Sequence, residues 1–412
     1  MLVTSITTGL DSQTKDIVKS TVPLLQERGE DITKRFYQLL FKNNPELKNI
    51  FNQTNQRKGN QSKALANAVY SAAFYIDELE RIMPQVKQIA HKHKSLNIQP
   101  EHYPIVGENL LAAIKEVLGE SADEEVLIAW EKAYSVIADV FISTEKEMYQ
   151  EAEKTIGGWS GFRNFMVVDK VVESDVITSL YLEAADGEPF AIHQPGQYIT
   201  VKAEIEGAPY NYLRQYSLSC APGGGAYRIS VKREDALNGH PPGIVSNYLH
   251  SDINKGSILP ITVPSGYFTL DSQDIRPLVL ISGGVGLTPL LSMLESTIKN
   301  QPEREIYYIH ATQNGKVHAM REAIQNIDKK HDQVHTYTVY DNPTDNDVKF
   351  YDKVGYIDYN YLSTILPTNN AAFYFCGPKG FMQSIYKSLS QFEVEDKDIN
   401  YEFFGPSEEI KD

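Results

Sequence analysis

Four consecutive residues near the middle of the chain, Arg214-Gln215-Tyr216-Ser217, combine groups that suit a flavin dinucleotide. The guanidinium is a rigid fork of donors matched to a pyrophosphate. The phenol ring offers a flat face to an aromatic heterocycle, and the serine adds a hydroxyl. The tetrad follows a strand-like run, Gly196-Gln197-Tyr198-Ile199-Thr200-Val201, and precedes another that ends in Val231-Lys232-Arg233-Glu234. Tyr198 supplies a second aromatic. Ser246 sits in Gly243–Leu249, a loop feeding a short helix whose free N–H groups suit phosphate.

A second pattern follows. Arg276–Ser282 reads as a buried strand that runs into Gly283-Gly284-Val285-Gly286-Leu287-Thr288-Pro289 and a helix over Leu290–Ile298. Glycines let backbone N–H groups approach a pyrophosphate, and a helix start favours its charge. Thr288 reads as the N-cap, with Pro289 first in the helix. The spacing departs from strict G-x-G-x-x-G, so it points to a nicotinamide dinucleotide only together with its neighbours.

The first 150 residues hold a third set. Ile89-Ala90-His91-Lys92-His93 ends an amphipathic helix and offers two imidazoles, either one a candidate metal ligand. Tyr37 stands among apolar neighbours, Phe51 follows a short connection, and Gln61 and Leu65 share one helical face. An aromatic wall, a phenol, an amide and a distant histidine describe a haem pocket with a polar distal side.

The elements that carry these groups fall into three stretches. Residues 1–150 keep a helical period without strand alternation, which predicts an all-α domain of six to eight helices. Asn44 reads as an N-cap with Pro45 behind it. Residues 151–161 include Gly157-Gly158 and Gly161 and read as a linker. Residues 162–272 switch to period two with Gly/Pro turns, as in a small antiparallel β-barrel. Residues 273–412 alternate strands with helices, as in an α/β domain with a parallel sheet.

The chain has 412 residues, enough for two to four domains, and a hydrophobic fraction of 42% that sustains packed cores. A net charge of −15 argues against nucleic acid and anionic membrane as partners. The two cysteines, Cys220 and Cys376, are far apart and suggest neither a disulfide framework nor a zinc site, so a reducing compartment is expected. Met1–Ser5 lacks a basic start and an apolar core, so no signal peptide and a cytoplasmic location are expected. The most apolar stretch, Pro277–Leu294, is interrupted by glycine, serine and proline, and no membrane span is expected.

Several motifs together resemble the bacterial flavohaemoglobins. They are Arg35-Phe36-Tyr37, Asn44-Pro45-Glu46-Leu47 with Ile50-Phe51, Asn55-Gln56-Arg57 with Gly59 and Gln61, and Lys92-His93. The series continues with His102-Tyr103 and Ile105-Val106-Gly107, Ala129-Trp130 with Ala133-Tyr134, and Phe141-Ile142 with Glu145. The later stretches resemble the ferredoxin–NADP reductase superfamily, to which that family's reductase part belongs. The resemblance implies that His93 binds the haem iron, with His91 facing solvent. It implies a relay from Tyr103 and Glu145 to His93, and Tyr37 and Gln61 holding O2 on the opposite face, with Phe51 and Leu65 beside them. It implies FAD on Tyr198, Arg214–Ser217 and Ser246, and NADH or NADPH on Ser282–Thr288. Cys376 then lies beside the nicotinamide as a packing residue. In the closing motif Tyr401-Glu402-Phe403-Phe404-Gly405-Pro406, Phe404 covers the flavin and Phe403 stands where some relatives have cysteine. Glu402 pairs with Lys92.

The implied activity is nitric oxide dioxygenation: electrons pass from NAD(P)H through FAD to haem b, and O2 and nitric oxide yield nitrate. The implied partners are small molecules, with a lipid a candidate for the distal pocket and the chain a monomer. Two other classes are an O2- or NO-sensing haem protein, without sustained turnover, and a plain flavin, ferric or quinone reductase indifferent to His93.

Overall fold

Asp11 starts the first helix by placing its carboxylate 2.7 Å from the Thr14 amide, satisfying a donor that helix starts leave free. This helix is α1, Ser12–Ser20. It is followed by α2 (Val22–Asn43), α3 (Asn60–Phe74), α4 (Met83–Ser95), α5 (His102–Leu118) and α6 (Glu124–Lys154). The structure is a computed structural model that describes residues 9–51, 59–237, 239, 241–405 and 410. Asn44 and Pro45 do open a helix, but a short 3-10 one, Pro45–Asn49, and the Asn44 side chain reaches back to Leu40 O instead of capping it.

On α2, Leu25, Ile32, Phe36 and Leu40 repeat along one face and are each 4% exposed or less. With Leu110 and Ile114 of α5 and Trp130 and Ala133 of α6 they form the core of the helical unit. Burying each large side chain is worth roughly 1.5–3 kcal/mol. Gly29 allows α3 to come close: a β-carbon there would lie 3.5 Å from Ala66 Cβ. Thr33 Oγ1 then donates to Ser62 O at 2.9 Å.

The chain divides into two units, Met1–Thr155 with Glu204–Leu213, and Ile156–Ala203 with Arg214–Asp412. The second holds two sheets. The first sheet contains β1 (Phe162–Val172), β2 (Ile177–Ala184), β3 (Tyr198–Ala203), β4 (Tyr212–Ser217), β5 (Tyr227–Lys232) and β6 (Ile258–Thr262). Their order is β4-β3-β6-β1-β2-β5, and the ladders β1–β2, β1–β6, β2–β5 and β3–β6 are antiparallel. A bridge between Leu218 and Ile229 brings the two edge strands together, so the sheet curls almost into a barrel. Helix α7 (Ile244–Ser251) follows β5.

The second sheet is parallel. It contains β7 (Leu278–Gly283), β8 (Ile306–Thr312), β9 (Val334–Tyr340), β10 (Lys353–Val354), β11 (Ala372–Cys376) and β12 (Ile399–Glu402), in the order β10-β9-β8-β7-β11-β12. Helices α8 (Leu287–Asn300), α9 (Arg321–Lys330), α10 (Tyr359–Ile365) and α11 (Lys379–Gln391) connect the strands. Every residue of β7 and β11 is buried, as expected of strands covered on both faces. From β7 the chain moves outward to β8, then returns past β7 to β11. That reversal opens a crevice at the C-terminal ends of β7 and β11, where such sheets bind ligands. Among the described residues no helix is long and apolar enough to cross a membrane.

Candidate functional site

Helix α4 ends just after the candidate ligand. Asn97 adopts φ +57°, its amide donates to Lys94 O at 3.1 Å, and the Ile98 amide donates to His93 O at 3.0 Å. This pair of bonds closes a helix in a left-handed turn and fixes the His93 backbone. The His93 ring faces α5 and α6. Its Nδ1 lies 2.7 Å from Glu145 Oε1 and 3.2 Å from Tyr103 OH, and Tyr103 OH donates to the same Oε1 at 2.6 Å. Glu145 is only 3% exposed. An ionised carboxylate can only accept, so Nδ1 carries the proton and the Nε2 lone pair is left for a metal.

The relay is anchored in turn. Tyr134 OH donates to Tyr103 O at 2.6 Å. Glycine at 107 makes room, because a β-carbon there would sit 2.6 Å from the Tyr134 ring. Burial first, and then the Glu145 charge, push the Tyr103 phenol far above its usual pKa, so it remains a donor. Phe141, one turn before Glu145, places its ring 5.8 Å from that of His93.

The proposed distal residues lie in the same helical core. Tyr37 is buried, its ring 5.9 Å from Phe41 and 5.8 Å from Phe51, and Phe41 and Phe51 are 5.4 Å apart. Leu65 packs against the same helical core. Gln61 Oε1 is buried without a hydrogen-bond partner among the described residues. Such an orphan costs about 1–3 kcal/mol. An amide can exchange O and N positions by rotation, so it can present an acceptor or a pair of donors to a small ligand. An imidazole with a free Nε2, an aromatic wall and an orphaned amide together fit a haem.

In the second unit the tetrad forms the latter part of β4 itself, rather than a link between strands. Its neighbour β3 begins with Tyr198, and Leu218, just past the tetrad, donates to Gln197 O at 2.9 Å. Tyr198 N donates to Ser265 O at 2.9 Å, and Gly266, at φ +115°, lies under the Tyr198 ring, where a β-carbon would come within 3.0 Å. Burial raises the Tyr216 phenol pKa, with the Arg214 charge opposing. Ser217 is buried. Ser246 Oγ accepts from Glu234 N at 3.2 Å and contacts Gly243 O at 3.3 Å, so this hydroxyl ties the start of α7 to the end of β5.

The glycine turn leaves β7 at the switch point. Gly284 takes φ +54°, and a β-carbon on Gly286 would collide with the Cys376 carbonyl. A β-carbon on Gly377 would lie 2.5 Å from Phe381. Gly286 thus meets the second loop through backbone, and the Phe381 ring packs against Gly283 and Gly377, so side chains on these glycines do not block a dinucleotide from main-chain N–H groups. Ser282 Oγ lies 2.7 Å from His310 Nδ1. Cys376 is fully buried, and burial, then the Glu402 charge, hold its thiol well above the usual pKa. It is a neutral packing group. Glu402 stands opposite Cys376 in the β11–β12 register, the Phe403 ring lies 5.7 Å from Tyr401, Gly405 N donates to Phe403 O at 2.9 Å, and Phe404 is 49% exposed. Pro406, like Asn55, Gln56 and Arg57, lies outside the described residues.

A family model described as Globin matches residues 34–141, and one described as Oxidoreductase NAD-binding domain matches residues 280–387. The flavohemoprotein of Oceanobacillus iheyensis is 59% identical over 401 residues, covering 97% of this chain and 98% of the relative. The chain belongs to the flavohemoprotein family. The flavohemoprotein of Bacillus subtilis is 47% identical, covering 96% of this chain and 98% of its own. A flavohemoglobin crystal structure from Malassezia yamatoensis, with bound FAD and heme, is 26% identical, with a TM-score of 0.82 over 96% of this chain and all 100% of that one. The FAD/NAD-binding domain of Nitric Oxide Dioxygenase from Vibrio cholerae is 36% identical over 59% of this chain and 99% of its own, with a TM-score of 0.54.

The environment of His91 and the start of α8 differ from what the sequence predicts. His91 is partly buried rather than fully solvent-facing. It sits about 200° around the helix from His93, but that side is partly covered: its Nδ1 is buried without a partner among the described residues, and burial, then Lys94, lower its pKa to about 4. Thr288 is not a cap. Gly284–Gly286 forms a 3-10 turn that winds directly into α8, so the helix starts at Leu287, Gly286 is the cap, and Thr288 Oγ1 donates back to Val285 O at 3.1 Å. Pro289 is accordingly third in α8. The sequence reading gave no site role to Phe41, Phe141, Tyr134 or His310. Phe41 and Phe141 stand one helical turn from Tyr37 and Glu145, a spacing that carries the signal. Lys92 lies in the last turn of α4, whose cations complement the helix's negative end.

Proposed function

We propose that the chain is a nitric oxide dioxygenase that uses NAD(P)H, FAD and haem b to convert nitric oxide and O2 to nitrate. The observation that carries this reading is the buried Glu145 carboxylate 2.7 Å from His93 Nδ1. A carboxylate-backed imidazole would be a strongly donating ligand to haem iron, which favours oxygen activation over storage. When bound, haem and FAD supply the redox chemistry, the flavin converting a two-electron hydride into single electrons for iron.

The protein's part is positioning. His93 Nε2 would hold the iron, with Glu145 and Tyr103 keeping the proton on Nδ1. Tyr37 and Gln61 offer hydrogen bonds to oxygen, and Phe41, Phe51 and Leu65 exclude water. Arg214, Gln215, Tyr216, Ser217 and Tyr198 would seat the flavin, with Ser246 at the start of α7 and Phe404 as further residues to hold it. The Ser282–Thr288 turn takes the nicotinamide dinucleotide beside Cys376. The balance is one NAD(P)H, two O2 and two nitric oxide giving NAD(P)+, a proton and two nitrate ions. In this reading residues 1–150 are the haem domain, 162–272 the FAD domain and 273–412 the NAD(P) domain of a monomer, and the apolar distal wall also suits an acyl chain.

The test is anaerobic. NADH is added to purified protein and the visible spectrum is followed through pulses of O2 and nitric oxide. Reduction of both flavin and haem, with nitrate formed in step with NADH loss, is expected. Flavin bleaching over a haem that stays ferric would instead support a plain reductase, as would full turnover of the physiological acceptor by His93→Ala.

A further inference from the structure

Beside the glycine turn lies a buried polar pair that the proposed reaction does not use. His310 and His318 are 2% and 6% exposed, with ring centres 4.6 Å apart. His310 Nδ1 lies 2.7 Å from Ser282 Oγ, on the residue just before Gly283. His318 Nδ1 lies 2.8 Å from Tyr340 OH, at the end of β9. Ser282 and His310 are also opposite one another in the β7–β8 ladder. These groups connect three adjacent strands at their C-terminal ends, the edge where an open α/β sheet receives its ligand.

Packing alone explains the pair poorly. Nε2 of both rings is buried without a hydrogen-bond partner among the described residues. Apolar side chains of similar volume would fill the space without stranding two polar atoms. The backbone beside them is also strained: Met320 holds φ +59°, unusual outside glycine and asparagine. Local costs that accumulate at one place in a fold mark function more often than stability. Burial keeps both imidazoles neutral, so the arrangement does not change through neutral pH.

We propose that His310 is a positioning residue for the nicotinamide dinucleotide: through Ser282 it holds the entry to the Gly283–Gly286 turn, and His318 and Tyr340 brace it from β9. The turn has little freedom elsewhere, because Gly286 abuts the Cys376 carbonyl and Gly283 faces the Phe381 ring. Ser282 is therefore the point from which the turn's N–H groups are aimed. The proposal rests on the reading of this turn as the NAD(P)H site.

The test uses full-length protein loaded with haem and FAD, in anaerobic stopped-flow reduction of the flavin by NADH and by NADPH. His310→Phe and Ser282→Ala are expected to raise the apparent Kd for the nucleotide about tenfold while the limiting rate changes less than about threefold. Dithionite, which bypasses the nucleotide, should reduce both variants at the unaltered rate. His310→Asn, whose amide can reach Ser282 from the Nδ1 position, should recover most of the affinity. Ser282→Ala removes a single oxygen and remains informative if His310→Phe does not fold. Affinities within about twofold of the unaltered protein in Ser282→Ala overturn the proposal. So does a defect that appears equally with dithionite, which would mean general damage. If neither nucleotide reduces the flavin of the unaltered holoprotein, it is the assignment of the turn that fails.

Discussion

Glu145 holds His93 through one oxygen: Oε1 lies 2.7 Å from Nδ1 and also accepts from Tyr103 OH at 2.6 Å. Glu145→Gln preserves shape and removes the charge. The imidazole becomes a poorer donor, so the iron–histidine stretch of the ferrous protein should drop in resonance Raman spectra. Nitric oxide consumption should fall about 10–100-fold. NADH-driven ferricyanide reduction, which needs no haem, should stay as it was. An unshifted stretch would remove Glu145 from the role given to it.

Gln61 gives a prediction of opposite signs. Its Oε1 is buried and unpartnered among the described residues. Gln61→Leu relieves a desolvation cost of about 1–3 kcal/mol, so thermal unfolding of the haem-free protein should shift upward. The same change removes a hydrogen bond to O2, so O2 release measured by stopped-flow mixing should speed up about tenfold. A loss of stability would show that the amide has a structural partner.

Gly286 meets the Cys376 carbonyl through backbone, with no flexible side chain to yield. Gly286→Ala must push the two loops apart, at a cost of about 1–3 kcal/mol. The expected outcome is retained FAD, seen in the visible spectrum, with flavin reduction by NADH slowed at least about tenfold. Normal reduction kinetics would place the nucleotide elsewhere.

Acid should weaken the second unit through its buried histidines. Burial lowers the pKa of both His193 and His310 from 6.5 to about 4. Above pH 6.5 neither folded nor unfolded chain takes up these protons, and stability is complete. As pH falls from 6.5 toward 4 only the unfolded chain binds them, so stability is lost, by roughly 3 kcal/mol for each histidine. Melting temperatures between pH 7 and 4.5 test this, and His193→Gln should flatten the slope. A variant slope equal to that of the unaltered protein would mean that His193 is not buried neutral.

Much of the site was legible because its chemistry is written locally. His93, Tyr37 and Gln61 stand in helical runs whose period predicts the helices, and the tetrad and glycine turn announce ligands by residue type. The errors arose where a second layer of structure acts. Thr288 has a capping residue's composition, but a 3-10 turn brought the helix start forward to Leu287. His91 lies away from His93 on its helix, yet that face is partly covered and buries its Nδ1. His310 gave no signal, because β8 lies in a parallel sheet covered on both faces, where alternation no longer separates inside from outside.

By itself the sequence determined the element types, the order of helical, antiparallel and parallel stretches, the family and the chemical groups available. These depend on periodicity, turn residues and side-chain type, all short-range along the chain. Only the tertiary structure decided which groups meet. His93 and Glu145 are 52 residues apart, and Ser282 and His310 are 28 apart. Such pairs form where helix faces and strand registers pack, and an ångström of displacement is enough to separate a hydrogen bond from none.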